Sequence, residues 1–356
     1  QHKQKNSAKI TTILFAMKIY LVAIFLILSI LALFEPYKKK IELSIVGAIG
    51  FLFILTAVFR SETIRDYKEY VNMFRNYDQY IVEPSFKFLS WFVGLFSESH
   101  LILFAIYACV GISIKLYAIK RLSNLVFLSI LVYFSLLFTF HDLIQMRMGV
   151  AGAFFLLSIK PLYERKFLQF IGLIGLASLF HISALAYLVL WFINPQKPNW
   201  IIIYLLIPIS FIIGMLGINF FTMIPIPFIR EKIELYMALQ EKGMYDKITI
   251  FNPRILFKCL IYSLFLLRMK IIEEKSPYFI LAISIYAIGI SCYPLFSFLP
   301  VASNRLSELF FPVEIVLIPF LSYMFKPLYL SRLLIILITF TNLFYLLYWT
   351  DIFDYV

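Results

Sequence analysis

The sequence predicts an all-α fold, a polytopic integral membrane protein of about 10–12 transmembrane helices with amphipathic helices on its outer face. Three observations predict it. Hydrophobic residues make up 62% of the 356 residues and charged ones only 15%, and mean hydropathy is +0.90. A water-soluble domain carries about a quarter of its residues as charges. Apolar runs of roughly 17–25 residues recur from end to end, the length a helix needs to cross about 30 Å of hydrocarbon. These runs are continuously apolar rather than alternating, so the backbone satisfies itself within helices and not between barrel strands.

Taken in order, spans are expected near 13–34, 41–59, 101–119, 122–140, 143–160, 200–224, 255–271, 278–294, 305–325 and 329–350. Residues 166–193 read either as one tilted helix or as two shorter legs around "LFHIS". Ile13–Phe34 is too long for a signal peptide and no small-residue cleavage site follows it, so it reads as a retained helix. Taking the two-legged reading, the basic loops at 37–40, 115–121, 160–166, 268–270 and 326–332 share one side, which the positive-inside rule makes cytoplasmic. The basic N-terminal "HKQKNSAK" falls on the other side in that scheme.

The chain reads as one transmembrane domain over 1–356. An outer-face amphipathic or re-entrant segment occupies 60–97 and a second outer-face loop occupies 225–253. Within 60–80, Ile64, Tyr67, Val71 and Phe74 recur at helical spacing with charges between them, the pattern of a helix lying on a membrane surface. "EPSFKFLSWFVGLF" (83–96) starts with a proline suited to a first helical turn and is too short to cross. Around "REKIELYMALQEK" the second loop forms another polar helix.

The net charge of +12 lies in short connecting loops, a pattern that sets topology and meets anionic lipid rather than nucleic acid. Cys109, Cys259 and Cys292 fall in or beside apolar runs without metal-ligand spacing and read as small apolar residues. No phosphate loop, zinc motif or nucleophile elbow is present.

Polar residues within or at the lip of a span cost about 2.5–3.5 kcal/mol on insertion scales, which makes them candidates for chemistry. Arg60 closes the second span and is followed by Asp66 and Tyr70. Thr63 to Asp66 also fits a capping box, and Arg65 with Glu69 fits an i,i+4 pair. Glu83 precedes Pro84, either as a helix-start acid favoured by the dipole or as a base or sugar ligand. Gln145 and Arg147 open a span whose next turns are small (Gly149, Ala151, Gly152, Ala153). Small residues allow close packing, and a buried arginine there needs an anion, to which a phosphate is suited. His141 and Asp142 read as wet loop residues. His181 sits inside 166–193, where a neighbouring hydroxyl or carbonyl also explains it. Arg305 opens a late span and either binds an anion or snorkels. Arg254 and Arg230 are weaker candidates of the same kind.

The order Arg60–Asp66–Tyr70, "EPSF" (83–86), "QMRMGVAGAFFLLSI" (145–159), "RKF…ASLFHISAL" (165–185) and "NRLSELF" (304–310) resembles that of the EpsG-like proteins, the Wzy-type polymerases of O-antigen, capsule and exopolysaccharide. The resemblance covers residues 60–310. The family form has Arg-Gln where this chain has Arg147–Met148, with Gln145 ahead of the arginine instead.

The resemblance implies a polysaccharide polymerase, a membrane glycosyltransferase of the bacterial plasma (inner) membrane with its active site facing the periplasm or exterior. It would move a growing glycan from undecaprenyl pyrophosphate onto the terminal sugar of another undecaprenyl-pyrophosphate-linked repeat unit. Arg60, Arg147 and Arg305 would hold the pyrophosphate, Asp66 or Glu83 would serve as base, and Tyr70, Gln145, His181 and Arg254 would bind pyrophosphate or sugar. No cofactor and no metal is called for where arginines neutralise the phosphates. The implied partners are undecaprenyl-pyrophosphate-linked oligosaccharides and membrane lipid. A chain-length regulator is a further candidate, and nucleic acid is not one.

Rival readings are a lipid-linked oligosaccharide flippase or transporter, an acyltransferase using His181, and a glycan–lipid ligase. A transporter places charges at midplane and shows repeated halves. Here no repeat is visible.

Overall fold

The computed structural model describes residues 2–218 and 248–350, and among these residues every regular element is a helix. The polar helix expected around 230–242, Arg230 itself and most of the 225–253 loop lie outside the described residues. Two compact units emerge, residues 1–185 with 318–356, and residues 186–317.

In the first unit, α1 (His2–Leu33), α2 (Lys39–Val58) and α5 (His100–Leu122) contain long apolar stretches able to cross a membrane. α6 (Val126–Val132) widens into π turns over Tyr133–Ile144, making one span of Val126–Ile144. α7 (Met146–Tyr163) and α8 (Phe167–Phe180) follow, packed against each other, with α7 also against α5. Ala302–Tyr323 and Leu328–Tyr348 complete a set of six long apolar helices, with four shorter ones at Phe167–Phe180, Ile182–Phe192, Ile201–Met215 and Phe279–Leu295. The chain is therefore an all-α, multi-pass membrane protein. Its outward side chains agree with a hydrocarbon solvent: Phe15, Leu26, Ile30, Phe51 and Leu168 are exposed, an arrangement water would penalise.

The centre of this unit is the span 126–144 with α7, nearly all of whose side chains are buried. Phe53 of α2 packs on Phe134 and Phe138 at ring-centroid distances of 5.3 and 4.8 Å. Gln145 ends the π turns, donating its amide to the carbonyl of Phe140 (2.9 Å), while its own carbonyl starts α7 through Gly149 (2.9 Å). Here Gly149 is required by close approach. A Cβ at that position would stand 2.5 Å from the carbonyl oxygen of His141.

Two short helices lie between α2 and α5. α3 spans Tyr67–Arg75 and α4 spans Pro84–Gly94, with Pro84 in its first turn. The helix expected across 60–80 is thus shorter. Asp66 holds a left-handed backbone (φ 65°) at the N-cap of α3 and its carboxylate accepts no capping hydrogen bond, so the expected capping box does not form. Thr63 instead pairs its hydroxyl with Ser61 (2.8 Å), and Arg65 lies 3.7 Å from Asp66. The expected apolar face persists: Tyr67, Tyr70 and Phe74 are buried against Phe86, Phe104 and Tyr107.

Over 166–193, α8 stops at His181, whose backbone is extended (φ −152°, ψ 111°), and the chain resumes as tighter 3-10 turns at Ile182–Phe192. The break falls within "LFHIS", as the two-legged reading requires.

In the second unit, α9 (Leu206–Met215), α10 (Pro253–Leu267), α11 (Met269–Glu273), α12 (Phe279–Leu295) and α13 (Pro300–Phe310) pack around α12, whose side chains are almost all buried. Cys109, Cys259 and Cys292 are free thiols within helices α5, α10 and α12.

Candidate functional site

Glu83 is placed by its own proline. Pro84 fixes the first turn of α4, and the extended backbone of Glu83 (φ −61°, ψ 152°) lets its carbonyl accept the amides of Phe86 (3.0 Å) and Lys87 (3.3 Å). The carboxylate makes no cap to its own helix. It turns instead to two other segments: one oxygen is ion-paired with Arg147 Nη1 in the first turn of α7, and the other lies 3.1 Å from His181 Nδ1 at the end of α8. All three side chains reach water only partly, with 11% of Glu83 and 20% each of Arg147 and His181 exposed. Burial alone would raise the Glu83 carboxyl, but the His181 hydrogen bond and the Arg147 charge outweigh it and hold it at about 2.

Arg147 stands near two rings, 5.6 Å from the centroid of Tyr70 and 5.8 Å from that of Phe86. Its Nε is buried without a hydrogen-bond partner, a state that costs about 1–3 kcal/mol and favours an incoming acceptor. With Nδ1 of His181 engaged by the carboxylate, Nε2 is the ring nitrogen left for another partner.

Arg60 is a second buried cation. Only 6% exposed, it donates to the carbonyls of Ala57 (3.2 Å) and Asp142 (3.3 Å) and to the sulfur of Met146 (3.6 Å). Its guanidinium lies 3.9 Å from the Phe104 ring centroid. Its partners are neutral dipoles and a ring face, and its Nε has none. Burial lowers its pKa to about 10, so it stays charged at neutral pH. A largely apolar groove of about 320 Å³, lined by Met17, Tyr20, Leu52, Phe59 and Leu143, also has this arginine in its wall.

Behind it lies a charged cluster that the sequence reading placed differently. Asp142 and His141 are buried, not wet loop residues. Lys115, assigned to a cytoplasmic basic loop, is fully buried inside α5. Its Nζ lies 2.7 Å from each Asp142 oxygen, and the Tyr133 hydroxyl donates to the same carboxylate at 2.8 Å. Gly111 and Gly149 leave the space the carboxylate fills, since a Cβ on either would come within 3.4 Å of it. A signal for this pair existed: Lys115 falls inside the apolar run 101–119, where an unpaired cation is costly.

Of the other candidates, Tyr70 is buried beneath Arg147, and Gln145 is partly buried at the junction before α7. Asp66 is exposed beside Arg65 and makes no hydrogen bond or ion pair with Glu83, Arg147 or His181. Arg254 and Arg305 are exposed residues of the second unit, on α10 and α13. That unit also contains a pair the sequence reading passed over, Lys258 bound to Glu314, with the ammonium 3.9 Å from the Phe311 ring centroid.

A multi-pass membrane fold with a carboxylate, an arginine and a histidine gathered at one end of its helices is the class these residues define. The chain belongs to the EpsG family, whose profile matches residues 43–355. It is also similar to the amylovoran biosynthesis protein AmsC of Erwinia amylovora, 24% identical over 321 residues that cover 85% of each chain. No solved structure matches it.

Proposed function

We propose that the protein is a polysaccharide polymerase that transfers a glycan from undecaprenyl pyrophosphate to the terminal sugar of a second lipid-linked repeat unit. The transfer takes place at the outer face of the bacterial plasma membrane. Membership of the EpsG family supports a polysaccharide polymerase in general. The observation that carries the finer reading is the Glu83–Arg147–His181 cluster, with the uncompensated Arg60 in the same unit.

In this reading His181 Nε2 takes the proton of the acceptor hydroxyl as that oxygen attacks the anomeric carbon of the donor sugar. The carbon–oxygen bond to pyrophosphate breaks, and the leaving group departs with the bonding pair. Arg60 and Arg147 hold the charge that develops on it, because buried guanidinium groups are already oriented and need little rearrangement. Glu83, with its pKa near 2, is too weakly basic to take the proton itself. It fixes the His181 tautomer and stabilises the imidazolium that forms. The largely apolar groove with Arg60 in its wall accommodates the isoprenoid chain, which sets the pyrophosphate at the guanidinium. The exposed aromatic residues of α4, Phe88, Trp91 and Phe92, provide faces on which sugars stack.

The test is the chain-length ladder made in cells by variants present at wild-type levels in the membrane. His181→Ala and Arg147→Ala are expected to remove the ladder, and His181→Ala to reduce polymer by at least about 100-fold, the usual worth of a positioned general base. Full ladders from both would overturn the assignment. Transfer of single repeat units without a ladder by the wild type would instead identify a ligase.

A further inference from the structure

A second groove lies at the opposite ends of the helices that carry the cluster. α7 has Arg147 in its first turn and Lys160 in its last, about 20 Å apart along the axis at 1.5 Å per residue. α8 likewise runs from Phe167 to the break at His181. α5 runs from His100, bonded to Tyr67 (2.8 Å), to Leu122. Where these three helices end away from the cluster, they enclose a groove of about 880 Å³, within the size of known ligand sites (about 300–1,000 Å³).

Its two ends differ in chemistry. One end bears Arg121, Lys160 and Lys166 against a single acid, Glu164, which lies 2.7 Å from Lys166 and 3.6 Å from Lys160. Arg121 reaches the hydroxyl of Tyr117 (3.2 Å) and no carboxylate. Three cations against one anion leave an excess of two positive charges. Apart from the Gln169 amide, the rest of the groove is mostly hydrocarbon, lined by Leu157, Leu168, Leu173 and Leu176, with Gly172 as an open place in the wall: no atom lies within 4 Å of where its Cβ would be. Leu168 is 82% exposed and Leu176 44%.

We infer that this groove binds one anionic glycerophospholipid, its phosphate at Arg121, Lys160 and Lys166 and an acyl chain along Gly172, Leu173 and Leu176. An acidic peptide or free phosphate would match the basic end alone and make no use of the apolar wall. A zwitterionic lipid would leave the excess charge without a counter-ion. Only an amphiphile with a net negative head satisfies both ends, and basic pockets between helices on the cytoplasmic side suit such heads. The site is independent of the transfer reaction proposed above.

The experiment uses the full chain purified in detergent with equimolar phosphatidylglycerol and phosphatidylcholine, and native mass spectrometry reads the lipids retained. The wild type is expected to keep phosphatidylglycerol at least fivefold over phosphatidylcholine. Gly172→Phe fills the apolar part without touching charge and is expected to lower that retention at least fivefold. Changing Arg121, Lys160 and Lys166 together to Gln is expected to abolish the preference, and the half-exposed Lys166→Gln alone to reduce it should the triple variant not fold. Equal retention of the two lipids by the wild type would overturn the proposal, as would unchanged preference in the charge variants. Unchanged retention in Gly172→Phe, or displacement of the lipid by millimolar inorganic phosphate, would overturn the acyl-chain part and leave a phosphate site.

Discussion

At the scale of single residues, the charges of Lys115 and Glu83 are tolerated because each is answered by a specific partner. Lys115 is fully buried, yet both Asp142 oxygens and the Tyr133 ring are within reach. Removing one member strands the other, which costs on the order of 3–5 kcal/mol, whereas removing both costs far less. Lys115→Met should therefore lower the detergent unfolding temperature sharply, and Lys115→Met with Asp142→Leu should recover most of the loss. Additive losses in the two changes would show that the pair is not coupled. Glu83 gives a pH-dependent counterpart. Its pKa is depressed from 4.5 to about 2, so its stabilising contribution is complete above about 4.5 and is lost as pH falls toward 2. The shift corresponds to about 2–3 kcal/mol once partial access to water is allowed for. Wild type should exceed Glu83→Gln in unfolding temperature at neutral pH, and that margin should shrink as pH falls from 4.5 toward 2. A margin independent of pH would remove the ion pair as its cause. Glu83, Arg147 and His181 were each legible in the sequence because a polar residue at the lip of an apolar run, or inside one as His181 is, is costly. Their union was not, since it depends on how α4, α7 and α8 pack. Lys115 was assigned to a loop because it begins a basic run, although its neighbours up to Ile114 are those of a span.

At the scale of elements, helices form wherever the apolar runs lie, but their ends are set by local backbone chemistry. The positive φ at Asp66 holds the chain out of the helix until Tyr67, which is why spacing alone extended α3 too far. π turns over Tyr133–Ile144 carry His141 and Asp142 into the interior, and nothing in hydrophobic periodicity distinguishes them from a loop. The small residues after Arg147 were a clearer signal, and Gly149 shows why. Its Cβ would meet a backbone carbonyl, which cannot swing away as a side chain can. Gly149→Ala should lower stability by about 1–3 kcal/mol, the usual range for overpacking. Gly175→Ala meets nothing within 4 Å and should be neutral or stabilising by up to about 1 kcal/mol, because alanine favours the helix. Thermal unfolding of the two variants side by side is the measurement, and equal effects would contradict the close approach.

At the scale of the whole molecule, the sidedness of the charges becomes a statement about the membrane. Within the first unit, α5 and α7 run from the Glu83–Arg147–His181 end to the basic groove, and α8 runs back from the groove to the cluster. The two ends therefore belong on opposite faces if the helices cross. By the positive-inside rule, three basic residues and one acid at the groove favour the cytoplasm for that end, in keeping with the outward-facing cluster proposed above. Arg75, at the end of α3, lies with the cluster through Tyr67, Tyr70 and Phe74 of its own helix. Lys166, half exposed just before α8, lies with the groove. In a chain whose three native cysteines are replaced by alanine, Arg75→Cys should react with a membrane-impermeant maleimide in intact cells, and Lys166→Cys only after the membrane is opened. The opposite pattern would invert the topology and put the cluster on the side where lipid-linked units are assembled, and polymerisation at the outer face would then be impossible. Labelling of both positions in intact cells would mean that α7 and α8 do not cross, and α8, with 14 residues, is shorter than a full span needs.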